Sequence, residues 1–402
     1  MATEKVTITI DGKEVSVAKG TYLLQILRDN GVHVPTLCHH KDLTPQGLCR
    51  LCAVDIEQRG KKKLVTSCNY PVRSEIKVET ASLGAVLSRD DDAGGYRVTH
   101  IYRADPDRPE ELSPLARPAS RARVGDLLRT INGVALTGVD APERLLRGQA
   151  GHQVRLGITT REGRKRDLIV EPISSERLRD LRYDEWKVTR RLMVDSLGAG
   201  EIGYVHLRDM GSSDMAQWHR DYYPVFNRRG LIIDVRHNGG GNIDSWILAR
   251  LLRRAWMYWQ PRTGAPYWNM QYAFRGHMVV LVDEWTMSDG EAFAEGFRRL
   301  GLGKVIGTRT WGGEIWLTSS NRLVDRGIVT AAEFGVYGPE GEWLIEGHGV
   351  EPDIVVDNLP HATFLGQDAQ LRTAIAHLQE LIREDPRDVP PPPPYPSKAG
   401  GR

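Results

Sequence analysis

Two sets of residues in this 402-residue chain have the types and spacing to do chemistry. The first is Ser288-Asp289-Gly290, which follows the apolar run Met278–Val282 and precedes a segment with Phe293 and Phe297 at helical spacing. A serine at a strand-to-helix turn has its hydroxyl lifted off the sheet edge. The unpaired N–H groups and positive dipole end of the helix lie behind it. That suits a nucleophile beside donors for a developing oxyanion. Taken alone, the same serine also reads as a helix cap. A second loop favours the chemical reading. Leu231–Val235 feeds Arg236-His237-Asn238-Gly239-Gly240-Gly241-Asn242, and a glycine-rich curve of this kind exposes backbone amides to an anion. It lacks the spacing of a dinucleotide fingerprint and the Lys-Ser/Thr of a P-loop.

The second set is Cys38, Cys49, Cys52 and Cys68. Cys49-Arg50-Leu51-Cys52 can grip one metal from a single turn, and Cys38 and Cys68 complete a four-thiolate set. A disulfide framework is disfavoured by the lack of a secretion signal at the N-terminus. Structural zinc usually uses two close Cys-x-x-Cys pairs, and only one is present. One cysteine, a gap, a close pair, a gap and one cysteine fits a [2Fe–2S] cluster best.

The elements that position these residues differ along the chain. All four cysteines lie at or before Cys68 and all ten tryptophans at or after Trp186, a partition that predicts modules of different origin. Val6–Ile10 and Glu14–Val17 around Asp11-Gly12 predict a hairpin, and Thr21–Asn30 a helix burying Leu23, Leu24, Ile26 and Leu27. Val124–Val134 predicts a strand closed by an Asn-Gly turn, Pro142–Gly148 a short helix, and residues 154–158 and 166–170 two further strands. The segment 105–121, rich in Pro and Arg, reads as a surface loop. Arg177 to about Leu197 predicts a helical connector. Beyond it, strands alternate with helices, which predicts an α/β module with a largely parallel sheet. Leu371, Ile375, Leu378 and Leu381 mark a terminal packing helix. Residues 385–402, with Pro390–Pro394, read as a disordered tail.

Three stretches carry family resemblances. Val34-Pro35-Thr36-Leu37-Cys38-His39-His40, Cys49–Cys52 and Ser67-Cys68-Asn69-Tyr70-Pro71-Val72 resemble the N-terminal ferredoxin-like domain of the iron–sulfur subunit of NADH dehydrogenases and related diaphorases. The resemblance spans residues 4 to about 81. It implies a β-grasp fold with one [2Fe–2S] cluster on the four cysteines and a redox partner, with His39 and His40 outside the ligand set. Gly125-Asp126-Leu127-Leu128-Arg129-Thr130-Ile131-Asn132-Gly133 is the word that closes the core strand pair of PDZ domains. Leu83–Leu87 would then supply the carboxylate-binding loop and the edge strand onto which a peptide adds.

From about Leu83 to Glu384 the chain resembles the C-terminal half of tricorn proteases, among the C-terminal processing serine peptidases. The matching words are Gly203-Tyr204, Asp234-Val235-Arg236, Asn238–Gly241, Ser288-Asp289-Gly290, Leu300–Gly313 and Gly349-Val350-Glu351-Pro352-Asp353. The resemblance implies Ser288 as nucleophile, the N–H groups of Gly241 and Asp289 as oxyanion hole, and Glu346 as the glutamate of the catalytic tetrad. It implies Gly240 and Trp259 as substrate-contacting positions, peptide substrates and a homo-oligomer. Trp259 stands where the founding members carry the acidic residue that favours basic P1 side chains, so an apolar or reshaped pocket is expected. The family's catalytic histidine lies in a helical subdomain just before the PDZ domain, a place taken here by the ferredoxin-like module. His237 and His348 are the candidates to replace it.

The expected architecture is thus multidomain α+β and α/β: a β-grasp ferredoxin-like domain (1–81), a PDZ domain (82–175), an α/β peptidase domain (176–384) and the tail (385–402). Both families break off near Ala81–Leu83 with no linker, which is also what a join between two unrelated reading frames would produce. A third alternative is an electron-transfer protein whose peptidase half only binds peptides. A net charge of +2 gives no electrostatic case for nucleic acid or an anionic membrane. No apolar run reaches membrane-spanning length. A soluble, cytoplasmic protein is expected.

Overall fold

The computed structural model describes residues 4–395, apart from 35, 37–38, 40–44, 46–51, 60, 76, 79, 319–321, 325 and 328–330. The chain divides into two compact units, Met1–Val188 and Thr189–Arg402. The division falls within the helix Ser175–Leu197.

The first unit holds two sheets. One has the strand order Lys13–Ala18, Lys5–Ile10, Lys77–Val78, Ala53–Gln58, Lys61–Thr66. Its first two strands form the predicted hairpin, with Asp11 at φ 50° and Gly12 at φ 78°. Two successive positive φ values are what a tight hairpin turn matching strand twist needs, which is why Asp-Gly serves there. The helix Leu23–Asp29 buries Leu23, Leu24, Ile26 and Leu27. The other sheet has the order Lys165–Val170, Val154–Thr159, Leu127–Ile131, Gly95–Ile101, Ala85–Asp90, so Ala85–Asp90 lies at an edge.

The short helix expected over Pro142–Gly148 is present as a 3₁₀ helix, Pro142–Leu146, which gives way to extended backbone at Arg147. One expectation is corrected here. The segment 105–121 is not a bare surface loop. Ser113 and Leu115 are buried, and Ser113 Oγ donates to the Gly84 carbonyl at 2.7 Å. At the change of family, Ala81 N–H donates to Leu146 O at 3.1 Å, and Ser82 pairs with Ile173. Thr80 Oγ1 donates to Asp11 Oδ1 at 2.6 Å, and Arg147 pairs with the same carboxylate. The two modules of this unit therefore share contacts.

The second unit is built on a five-stranded sheet in the order Ile202–His206, Gly230–Asp234, His277–Val282, Gly303–Gly307, Ile354–Val355, parallel throughout. The first three strands are buried along their whole length, as parallel strands covered on both faces must be. Alternate residues face opposite layers. Leu231, Ile233 and Val280 pack with Trp218, Tyr222, Phe293 and Phe297 on one side. Ile232, Val279 and Leu281 pack with Leu371, Ile375 and Leu378 of the helix Ala369–Glu384 on the other.

The word Asp234-Val235-Arg236 ties the sheet to that terminal helix. Buried Arg236 donates to Asp234 Oδ2 at 2.7 Å and to Asp368 Oδ1 at 2.9 Å, while Asp368 caps the helix by accepting from Leu371 N–H. Burial disfavours the charge on Asp368, but Arg236 outweighs it and leaves the carboxyl at about 2. Past the helix, residues 385–395 have no regular structure, yet they are more tied down than their composition suggests. Arg275 donates to the carbonyls of Arg387 and Asp388 at 3.0 and 2.6 Å, and Tyr395 OH donates to Gln260 O at 3.1 Å.

Candidate active site

Ser288 stands at the carboxyl end of the strand His277–Val282 and caps the helix Asp289–Arg299. Its backbone is left-handed, φ 52° and ψ −125°, a strained state for a residue with a side chain. The side chain is half-buried. Opposite it lies the glycine loop. A β-carbon on Gly240 would stand 2.6 Å from Ser288 Cβ and 3.1 Å from its Oγ, so only glycine lets the loop come this close. Gly241 is exposed, and a β-carbon there would meet the Met210 carbonyl at 2.0 Å. Among the described residues, the N–H groups of Gly241 and Asp289 donate to no acceptor. Two unpaired amides flanking a half-buried hydroxyl can stabilise a tetrahedral oxyanion.

Buried side chains hold this arrangement. Asn238 Oδ1 accepts from Gly240 N–H at 2.9 Å, its Nδ2 donates to Leu207 O at 2.9 Å, and its carbonyl accepts from Met287 N–H at 2.9 Å. Glycine loop and serine turn are thereby stitched together. Glu291, fully buried, does more. Its Oε2 accepts from Ser288 N–H at 3.0 Å and Gly313 N–H at 2.9 Å. Its Oε1 accepts from Gly312 N–H at 2.7 Å and Thr310 Oγ1 at 2.5 Å. One carboxylate thus fixes the serine turn to the 310–313 loop. The sequence offered a signal for it, since Ser-x-x-Glu at a helix start is a capping-box word.

Glu346 is held on the same loop. Its Oε2 accepts from Glu314 N–H at 2.7 Å and Ile315 N–H at 2.9 Å, one peptide beyond the Gly313 amide that Glu291 binds. Asp289 contributes its side chain as well as its amide. Oδ2 accepts from Ile243 and Asp244 N–H at 2.7 and 3.1 Å, at the N-terminus of the helix Asp244–Leu251. Burial first, then the Asp244 charge, push the Asp289 carboxyl up to about 6.

The other singled-out residues make no described hydrogen bond to Ser288. Trp259, half-exposed, sits on a two-stranded hairpin with Tyr267–Trp268, and no described hydrogen bond joins it to the serine turn. His348 is exposed with Nδ1 3.2 Å from Glu346 O. His237, at φ 59°, places Nδ1 3.0 Å from Asp283 Oδ2, and its N–H donates to Asp283 Oδ1 at 2.9 Å. Neither histidine is hydrogen-bonded to Ser288 Oγ among the described residues.

Glu314 gave no sequence signal. It is 2% exposed, and among the described residues its Oε2 has no hydrogen-bond partner. Burial first, then the charges of Asp289 and Glu291, push its carboxyl up to about 8. At neutral pH it is therefore largely protonated. Its pKa lies above the ordinary 4.5, so the native state keeps a proton that the unfolded chain has released. Stability should fall as pH rises from about 4.5 to about 8 and level off above. Glu314→Gln keeps the neutral shape. The variant is expected to melt with the parent near about pH 5 and above it near about pH 8.5. Identical melting curves at both pH values would contradict this.

In the first unit, Cys52 and Cys68 are 0% and 1% exposed in one apolar cluster. The hairpin register pairs Ala53 with Thr66, and the Cys52 carbonyl accepts from both Ser67 N–H and Ser67 Oγ, at 2.9 and 2.8 Å. Two thiol-bearing residues are thus held at one end of the hairpin in a water-poor setting, which fits thiolate ligation of iron. Cys38, Cys49 and His40 lie outside the described residues, and His39 is half-exposed.

A parallel α/β sheet with a left-handed serine at a helix N-terminus, facing a glycine loop, defines a serine hydrolase architecture built on a strand–turn–helix elbow. Comparison with known proteins narrows the class. Residues 201–356 match the model of peptidase family S41, residues 81–175 that of the tricorn protease PDZ domain, and residues 3–82 that of a 2Fe-2S iron-sulfur cluster binding domain. The chain thus joins a 2Fe–2S-type domain to the PDZ and S41 peptidase domains of the tricorn kind. It is 36% identical over 310 residues to tricorn protease homolog 1 of Streptomyces coelicolor, covering 77% of this chain and 29% of that protein. The crystal structure of the tricorn protease superposes with a TM-score of 0.69 at 31% identity, over 76% of this chain and 29% of that one. The N-terminal part is 48% identical over 77 residues to the alpha subunit of the NADPH-Fe(3+) oxidoreductase of Geobacter sulfurreducens, 19% of this chain and 9% of that protein. The chain spans less than a third of the length of these tricorn relatives. Among the described residues, no helix is long and apolar enough to cross a membrane.

Proposed function

We propose that the second unit is the catalytic module of a tricorn-like serine endopeptidase, hydrolysing peptides through an acyl-enzyme on Ser288. One observation carries the reading: the Ser288 hydroxyl faces the glycine loop while the amides of Gly241 and Asp289 stand unpaired. Ser288 Oγ attacks the scissile carbonyl, and those amides take the negative oxygen. Each donor contributes roughly 3–4 kcal/mol to the tetrahedral state. A base takes the Ser288 hydroxyl proton and passes it to the amine as the C–N bond breaks, and water, giving a proton to the same base, then cleaves the ester. Glu346 fixes the 314–315 peptide that borders the site. For the base, His237 and His348 are the candidates, and Asp283 orients the His237 ring. Catalytic hydrogen bonds to a nucleophile are often formed only once substrate is bound.

Trp259 replaces a carboxylate in the P1 reading, so apolar or aromatic P1 side chains are preferred to arginine. Fluorogenic peptides differing only at P1 test this on the full chain. Turnover of the leucine or phenylalanine substrate above the arginine one is expected. Absence of turnover with every peptide would remove the peptidase reading.

The first unit supports a second activity, because its match to an iron–sulfur oxidoreductase subunit is strong and Cys52 and Cys68 are buried together. Cys38, Cys49, Cys52 and Cys68 would hold a [2Fe–2S] cluster, which supplies one-electron transfer to a redox partner. The apolar cluster around Cys52 and Cys68 keeps water from those sulfurs. After iron–sulfur loading and reduction, a rhombic paramagnetic signal is expected in the parent and its loss in Cys52→Ala. An equal iron content in Cys52→Ala and no signal in either would overturn it.

A further inference from the structure

The amino ends of the strands that carry the serine turn and the glycine loop border two adjoining cavities. One, of about 230 Å³, is lined by Arg228, Arg229, Trp268, Arg275, Arg387 and Asp388 among others. The next, of about 410 Å³, shares Arg275, Gly276 and Arg387 and adds Arg254 and Tyr258. Arg228 and Arg229 immediately precede the strand Gly230–Asp234, and Gly276 precedes His277–Val282. The cavities are therefore at the opposite end of these strands from Ser288.

Five arginines line these cavities, and Asp388 is the one carboxylate among the lining residues. Three of them are answered by acids: Arg229 by Glu201 and Asp388, Arg387 by Asp385, and Arg228 more loosely by Asp195 at 3.9 Å. Arg275 is not. Among the described residues it has no carboxylate partner. It donates to two tail carbonyls, and its guanidinium lies 5.3 Å from the Tyr258 ring and 5.1 Å from the Trp268 ring. The two rings hold the cation in place, but no described carboxylate neutralises it. Among the described residues, Arg254 bonds only the Leu251 carbonyl, at 3.3 Å. Neither the serine chemistry nor the cluster reading uses any of these groups.

We infer that these cavities form a binding site for a multiply charged oxyanion of the phosphate class, gripped by Arg275 and Arg387 from the wall they share and by Arg228 or Arg254 from either side. The planar forks of arginine match phosphate oxygens two at a time, and ring stacking fixes the Arg275 fork so that little freedom is lost on binding. An anion here also relieves repulsion among the clustered cations. Bound between Arg275 and Arg387, it would fasten the tail segment to the start of the central strand.

Inorganic phosphate is the probe, titrated into the 402-residue chain against sodium chloride at matched ionic strength and pH. A saturable rise in melting temperature is expected with phosphate and not with chloride. Arg275→Gln is expected to weaken the apparent affinity about 10-fold or more, the loss of one charged hydrogen-bonding group. Arg254→Gln, whose side chain makes one weak bond, should weaken it as well while leaving the melting temperature in chloride unchanged. An equal response to the two salts overturns the assignment. So does a phosphate response that both variants retain in full.

Discussion

Ser288→Ala is expected to reduce peptide hydrolysis by at least about 10³-fold while leaving the melting temperature within a degree or two of the parent. The separation follows from the geometry. The turn is held by the Ser288 N–H to Glu291 bond and by the Met287 N–H to Asn238 bond, both backbone donors that alanine retains. The Oγ has no such structural duty among the described hydrogen bonds. Alanine removes the attacking atom and keeps the amides of Gly241 and Asp289, so any remaining rate reports oxyanion stabilisation alone. The positive φ at residue 288 costs alanine about what it costs serine. A variant that hydrolyses peptides at the parent's rate would place the chemistry on another residue.

Glu291→Ala should show the opposite pattern, a loss of stability first and of activity as its consequence. The buried carboxylate accepts from Ser288 N–H, Gly313 N–H, Gly312 N–H and Thr310 Oγ1. Alanine leaves four donors facing a cavity, and each unsatisfied buried donor costs about 1–3 kcal/mol, less whatever water recovers. A loss of about 3–5 kcal/mol in urea unfolding is the expected total. Glu291→Gln is the milder companion, because the amide keeps one acceptor oxygen but turns an N–H₂ group toward two of the donors. A change below about 1 kcal/mol for Glu291→Ala would mean that the serine turn holds its strained backbone unaided.

Much of this was legible in the residues, and the failures have physical causes. Asp11-Gly12 and Asn132-Gly133 marked turns because left-handed backbone needs those residue types, and both are left-handed in the structure. The alternating strand and helix pattern gave the parallel sheet. The close approach of Gly240 to Ser288 was foreshadowed by three consecutive glycines after a buried strand. Pro142–Leu146 is a helix as expected, of the 3₁₀ kind, since five residues are too few for an α-helix to persist. Gly84 N–H, read as part of a peptide-carboxylate loop, donates to Ser82 Oγ at 3.1 Å, a pairing that depends on loop geometry and leaves no composition signal. Glu314 was invisible for a different reason. Its raised pKa arises first from burial that Gly-Gly-Glu-Ile does not announce, and then from Asp289 and Glu291, brought beside it only by the fold. The 385–395 segment looked inert because a proline-rich composition argues against a core, yet single arginine-to-carbonyl bonds tether it without one.

The account stands on one covalent event. The full chain, treated with a fluorophosphonate and digested, should yield the Ser288-containing peptide with the mass of one phosphonyl adduct, absent from Ser288→Ala. An unmodified Ser288 peptide from natively melting protein, or an adduct carried only by another residue, would contradict it.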